Sequence, residues 1–107
     1  MPTDSRNDTR YTRNWMIKSF THKGLEKFFR RGSKAGIQAD HAKKLTRQLT
    51  TLNAATSVED MRVASWNLHS LHGTLGGHWS IWVRGNWRLT FKFENEDAIL
   101  VDYQDYH

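Results

Sequence analysis

Residues 79–103 carry a repeating pattern that admits few folds. Trp79, Ile81 and Val83 alternate with Ser80, Trp82 and Arg84, and Leu89, Phe91 and Phe93 alternate with Arg88, Thr90 and Lys92. A period of two marks strands with one face buried and one solvated. Gly85-Asn86 between the two runs suits a tight hairpin turn. Glu94-Asn95-Glu96-Asp97 then forms a polar turn into a last apolar run, Ala98-Ile99-Leu100-Val101-Asp102-Tyr103. The pattern predicts a three-stranded antiparallel meander, and its apolar face needs cover from elsewhere in the chain.

The preceding half supplies that cover. Trp15-Met16-Ile17-Lys18-Ser19-Phe20 reads as a first strand. Leu25, Phe28 and Phe29 fall at i, i+3 and i+4, with Gly32 as a helix stop. A second helix is predicted from about Ala39 to Asn53, with His41, Leu45, Leu49 and Leu52 on one stripe and Lys43, Lys44 and Arg47 mostly off it. His41 is expected to pack at the helix end. Thr56-Ser57-Val58-Glu59 resembles a capping box opening a short helical turn. Strand, two helices and three strands make an α+β domain with the helices packed on one sheet face. At 107 residues the chain is one domain. Residues 1–15 are polar and aperiodic, an expected flexible extension ahead of a domain at 16–107.

Composition narrows the function. The absence of cysteine excludes disulfides and thiolate metal sites and suits a cytoplasmic setting. No apolar stretch nears the roughly 20 residues that span a bilayer, and the N-terminus lacks the apolar core of a secretory signal. The net charge of +5 is uneven. Residues 21–53 hold eight Lys/Arg against Glu26 and Asp40, whereas residues 54–107 hold four against seven acidic residues. Such clustering suits a polyanionic partner; two solvated helix faces explain it slightly better on charge alone.

Six histidines in so short a chain is a high count, and imidazole titrates near neutral pH. His69 and His72 lie in the loop-like stretch Leu68-His69-Ser70-Leu71-His72-Gly73. Alone they would be loop packing. No HExxH or comparable metal pattern occurs, so neither metal nor cofactor is expected. There is no cysteine nucleophile, GxSxG or P-loop either. The meander, however, adds Arg84 and Arg88, and the terminus adds Asp105, Tyr106 and His107. Outward faces of neighbouring antiparallel strands adjoin, so these groups are expected to converge on a concave polar sheet surface. Imidazoles to move protons and guanidinium groups to neutralise a phosphorane are the parts of a metal-free RNase. Trp79 is expected in the core, while Trp82 and Trp87 suit either sheet packing or base stacking.

Ile17-Lys18-Ser19-Phe20, Leu68-His69-x-Leu71-x-Gly73, Trp79-Ser80-Ile81-x-Val83, Asn86-Trp87-Arg88-x-x-Phe91 and the terminal Asp105-Tyr106-His107 together resemble the HigB branch of the RelE-like toxins. The resemblance covers about residues 16–107. It implies a RelE-like fold, a toxin of a type II toxin–antitoxin system, and a ribosome-dependent mRNA endonuclease neutralised by a helix-turn-helix, HigA-like antitoxin. It carries over His69, Asp105, Tyr106 and His107 as catalytic residues, and Arg88, with Arg84 and His72, as RNA phosphate contacts. Ser70 and His72 depart from the family's usual Leu-His-Pro-Leu-Lys-Gly. A neutral imidazole replaces an ammonium at position 72, which weakens the expected phosphate contact there. The alternative from another class is a non-catalytic RNA- or antitoxin-binding module.

Overall fold

The computed structural model describes residues 17–106, and in it two helices pack on one face of a four-stranded antiparallel sheet. Helix α1, Lys23–Arg31, buries Leu25 and Phe28. His22 caps it, its Nδ1 accepting the Leu25 N–H at 2.9 Å. Gly32 ends it at φ 78°, donating its N–H to the Phe28 carbonyl as expected for a left-handed C-terminal stop. The second predicted helix splits into a 3₁₀ turn, Ala39–His41, followed by α2, Ala42–Ala54. Its buried stripe is Leu45, Gln48, Leu49 and Leu52.

The expected capping box at Thr56–Glu59 does not form. Ser57 makes no side-chain cap to the 3₁₀ turn Val58–Met61. The Asp60 carboxylate instead accepts the Thr56 N–H at 3.0 Å, and Glu59 turns outward to Arg62 at 2.7 Å.

The sheet runs in chain order: β1, His69–Ser70; β2, Trp79–Arg84; β3, Trp87–Glu94; β4, Asp97–Asp105. The predicted meander is β2–β3–β4, joined at Gly85-Asn86 and at Asn95-Glu96. Its apolar face, with Ile81, Val83, Leu89, Phe91, Val101 and Tyr103, meets the helical stripe in one core.

Three features depart from the sequence pattern. His69-Ser70, expected in a loop, pairs with β2 as a short edge strand, His69 opposite Ser80. The predicted first strand is instead a pair of isolated parallel bridges, Ile17 to Ala98 and Phe20 to Val101, on the free edge of β4; Trp15 and Met16 lie outside the described residues. The cause of its irregularity is in β4. Leu100 sits at φ 55°, where the β3–β4 register slips between Thr90 and Lys92. A second slip falls at Trp82–Arg84, where Trp82 opposes Arg88 but Arg84 opposes Trp87. Each bulge turns the residues beyond it to the other face of the sheet.

Candidate active site

The face of the sheet away from the helices carries a polar surface built row by row. In one row His69, Ser80, Thr90 and Asp102 follow one another across the four strands. In the next, Trp82, Arg88 and Gln104 align. The Gln104 Nε2 donates to Thr90 Oγ1 at 3.2 Å and to Asp102 Oδ2 at 2.9 Å, tying the rows together. Tyr106 extends the alternation of Asp102 and Gln104, and its N–H donates to the Asn86 carbonyl at 2.7 Å. Tyr106 is therefore held to the β2–β3 hairpin.

His69 is exposed, with both ring nitrogens assigned by their surroundings. Its Nδ1 lies 3.0 Å from the Asn67 carbonyl oxygen, which only accepts, so Nδ1 carries a proton. In the neutral ring Nε2 is then unprotonated. It lies 3.4 Å from the Ser80 hydroxyl, at the edge of hydrogen-bonding range, on the polar face. An imidazole fixed through Nδ1 by a backbone carbonyl, with Nε2 beside Ser80 on the polar face, is equipped to take a proton. Asn67 aims that carbonyl from a left-handed conformation at φ 51°, one that asparagine tolerates well.

Arg88 is half-buried. Its Nη1 donates to the Gly85 and Trp87 carbonyls, each at 3.2 Å, and among the described residues no carboxylate lies within ion-pair distance. Among the described residues the guanidinium is oriented by carbonyl dipoles and not neutralised. From strand spacing, the Arg88 backbone is about 12 Å from that of His69 and about 8 Å from that of Tyr106. That separation leaves room for a phosphodiester between their side chains.

Arg84 and Asp105 do not share this face. The Trp82–Arg84 bulge turns Arg84 toward the helices, where it pairs with Asp40 at 3.4 Å. Alternation from Tyr103 puts Asp105 on that side too, opposite Trp87. It is exposed, faces away from His69, and adds negative charge near Tyr103. His72 is exposed in the loop after β1. His107 lies outside the described residues. Trp79 packs against the core, as expected, and so does Trp87, stacked on the Tyr103 ring at 4.4 Å instead of facing substrate. Trp82 is half-buried at the sheet edge, its Nε1 donating to the Gly85 carbonyl at 2.8 Å.

Two residues of this face escape a reading of the sequence. Lys92 shares the row spacing of Arg88 and Thr90 and lies over Gly77, and its position in the alternation was the signal for it. Asn67 contributes a backbone carbonyl, which leaves no side-chain signature at all. Among the described residues no group of three or more His, Cys, Asp or Glu side chains is arranged to hold a metal ion. No helix among them is long and apolar enough to cross a membrane.

Residues 18–107 match the HigB-like toxin family, described as the RelE-like toxin of the type II toxin–antitoxin system HigB. The chain is also 42% identical over 92 residues to the endoribonuclease HigB of Proteus vulgaris, an alignment covering 86% of this chain and all of that protein. With its α+β fold and a match across most of its length, the chain belongs to the HigB-like family of RelE-like toxins of type II toxin–antitoxin systems.

Proposed function

We propose that this toxin is an endoribonuclease that cuts mRNA on the ribosome by acid/base transesterification on the outer face of its sheet. The observation that carries this reading is the pairing of His69 Nδ1 with the Asn67 carbonyl, which leaves Nε2 without a proton on the face that bears Arg88, a guanidinium with no carboxylate partner among the described residues. His69 and His107 exchange protons with the substrate, one taking the proton of the 2′-hydroxyl and the other supplying one to the departing 5′-oxygen. Arg88 stabilises the negative charge that develops on the phosphorane. Tyr106 stacks on or hydrogen-bonds the substrate, and Asp105 orients the imidazole of His107, two residues further along the chain. Arg84 and His72 contact RNA phosphates outside the reacting centre.

As a toxin of a type II system the protein has an antitoxin partner. We take that partner to be a helix-turn-helix, HigA-like protein, the site of action to be the cytoplasm, and residues 1–15 to be an extension ahead of the toxin domain. The test is cleavage of mRNA with and without ribosomes by wild type, His69→Ala and a variant lacking His107. Cuts by the wild type that need ribosomes, and that both variants lose while keeping their fold, support the reading. Cuts that persist in both variants sink the site. Ribosome binding without cuts by the wild type favours a non-catalytic RNA-binding module.

A further inference from the structure

The cations of residues 21–53 are not spread evenly over the helical surface. Lys43, Lys44 and Arg47 line an open cavity of about 230 Å³, with Arg84 from the β2–β3 hairpin also on its wall. The carboxylate on its wall, Asp40, is already held by Arg84 at 3.4 Å. Three cations therefore share a concavity in which, among the described residues, no further carboxylate offsets them.

Their position makes this crowding unfavourable. All three lie in the first two turns of α2, the positive end of the helix dipole, and no acidic residue occupies the first turn. Burial, and then the charge of Arg47, push the Lys44 ammonium below its ordinary pKa. Lys44 is also fixed over the Trp82 indole, its Nζ 4.1 Å from the ring centroid. Cations on a free surface relieve repulsion by moving apart, whereas a concave wall holds their field in one place and draws in an anion.

We propose that this cavity is a binding subsite for a backbone phosphate of RNA, neutralised by Lys43, Lys44 and Arg47. Only the identity of the anion rests on the reading of the toxin as an endoribonuclease. The cavity is also close to the proposed reaction centre. Trp82, which meets Lys44, stands opposite Arg88 in the sheet, and both side chains donate to the Gly85 carbonyl, at 2.8 and 3.2 Å. A strand whose scissile phosphate rests on Arg88 thus has the cavity around the edge of the same hairpin. The β2 bulge that removes Arg84 from the polar face delivers it to this wall.

The subsite is tested on the full chain by nitrogen-15 NMR, with inorganic pyrophosphate as the probe and the Trp82 indole N–H as the reporter. A saturable shift is expected in the wild type and its loss in Lys43→Gln/Arg47→Gln, two exposed positions whose replacement leaves the rest of the spectrum in place. Binding is then measured against salt, using a short 2′-O-methyl RNA, which lacks the attacking hydroxyl, and vacant ribosomes. The double variant is expected to bind roughly tenfold more weakly near physiological salt, with a log–log salt slope smaller by about one. Loss on the short RNA assigns the phosphate to the cleaved strand, and loss on vacant ribosomes alone assigns it to ribosomal RNA. No pyrophosphate shift in the wild type, or a double variant that binds both RNAs as the wild type does, overturns the subsite. A wild type that binds pyrophosphate at Trp82 but cuts no RNA overturns the endoribonuclease reading and leaves the anion site standing.

Discussion

The hydroxyl of Tyr103 lies 2.6 Å from Nδ1 of His41, joining the last strand to the start of α2 beneath the sheet. The same hydroxyl accepts the Gln38 N–H at 3.3 Å, and the Tyr103 ring stacks on Trp87. Both residues are buried, Tyr103 at 3% exposure and His41 at 5%. Terminal strands ordinarily fray; this anchor is three residues from Tyr106. Tyr103→Phe should keep the ring stack but strand the His41 nitrogen and the Gln38 N–H. A loss of about 1–3 kcal/mol is expected in urea unfolding.

Alkaline pH provides a second readout of the same pair. Burial, with added negative charge from Asp40 and Asp105, raises the Tyr103 pKa above its ordinary value of 10.0, and the hydrogen bond from Gln38 opposes that shift. The unfolded phenol loses its proton first, so the unfolded state gains stability as pH rises. The contribution of Tyr103 is whole below about pH 10 and declines above it, through the folded-state pKa. Stability measured across that window should fall with pH in the wild type and fall less steeply in Tyr103→Phe. Equal slopes would remove Tyr103 from the account.

Arg84 and Arg88 are four residues apart, yet should differ sharply in function. Arg88→Gln removes a positive charge from the polar face and is expected to lower the cleavage rate constant by about 10²–10³-fold. Arg84→Gln breaks an exposed ion pair worth under about 1 kcal/mol and should act mainly on RNA affinity. Single-turnover cleavage assays separate the two effects. Matching rate losses would contradict the division of the arginines between two faces.

Leu100 adopts φ 55° and is exposed, a conformation that costs a branched residue about 1–2 kcal/mol. Leu100→Gly relieves that strain but loses chain entropy on folding, by roughly 0.5–1 kcal/mol. A net gain of up to about 1 kcal/mol should appear as a raised unfolding midpoint.

Gly24 and Gly36 bring two backbones together at the start of α1. A Cβ on Gly24 would lie 2.8 Å from the Gly36 Cα, and one on Gly36 would lie 2.6 Å from the Gly24 Cα. Backbone on both sides cannot swing aside, so Gly24→Ala should cost about 1–3 kcal/mol. Thermal unfolding of this variant beside Gly32→Ala, whose added Cβ meets open space, distinguishes the close approach from the cost of a left-handed conformation.

Local order along the chain was determined by the sequence itself. Apolar residues at helical and strand periods marked α1, α2, the meander and both of its turns, because each pattern reports which side of a local element is buried. The order of motifs ending in Asp105-Tyr106-His107 also disclosed the family. The tertiary structure decided which residues share a face. Period-two counting carries Arg84 with Ser80 and Trp82, but the bulge after Trp82 reverses it. Packing does the same at Leu100, where the shift keeps both Ala98 and Val101 in the core. A bulge is a response to contacts between distant segments, such as the Gln48 Nε2 donating to the Trp82 carbonyl beyond the end of β1. Such contacts also made His69 part of the sheet edge and gathered the helical cations against the hairpin. No local pattern encodes them, because each depends on chain segments that meet only in the folded protein.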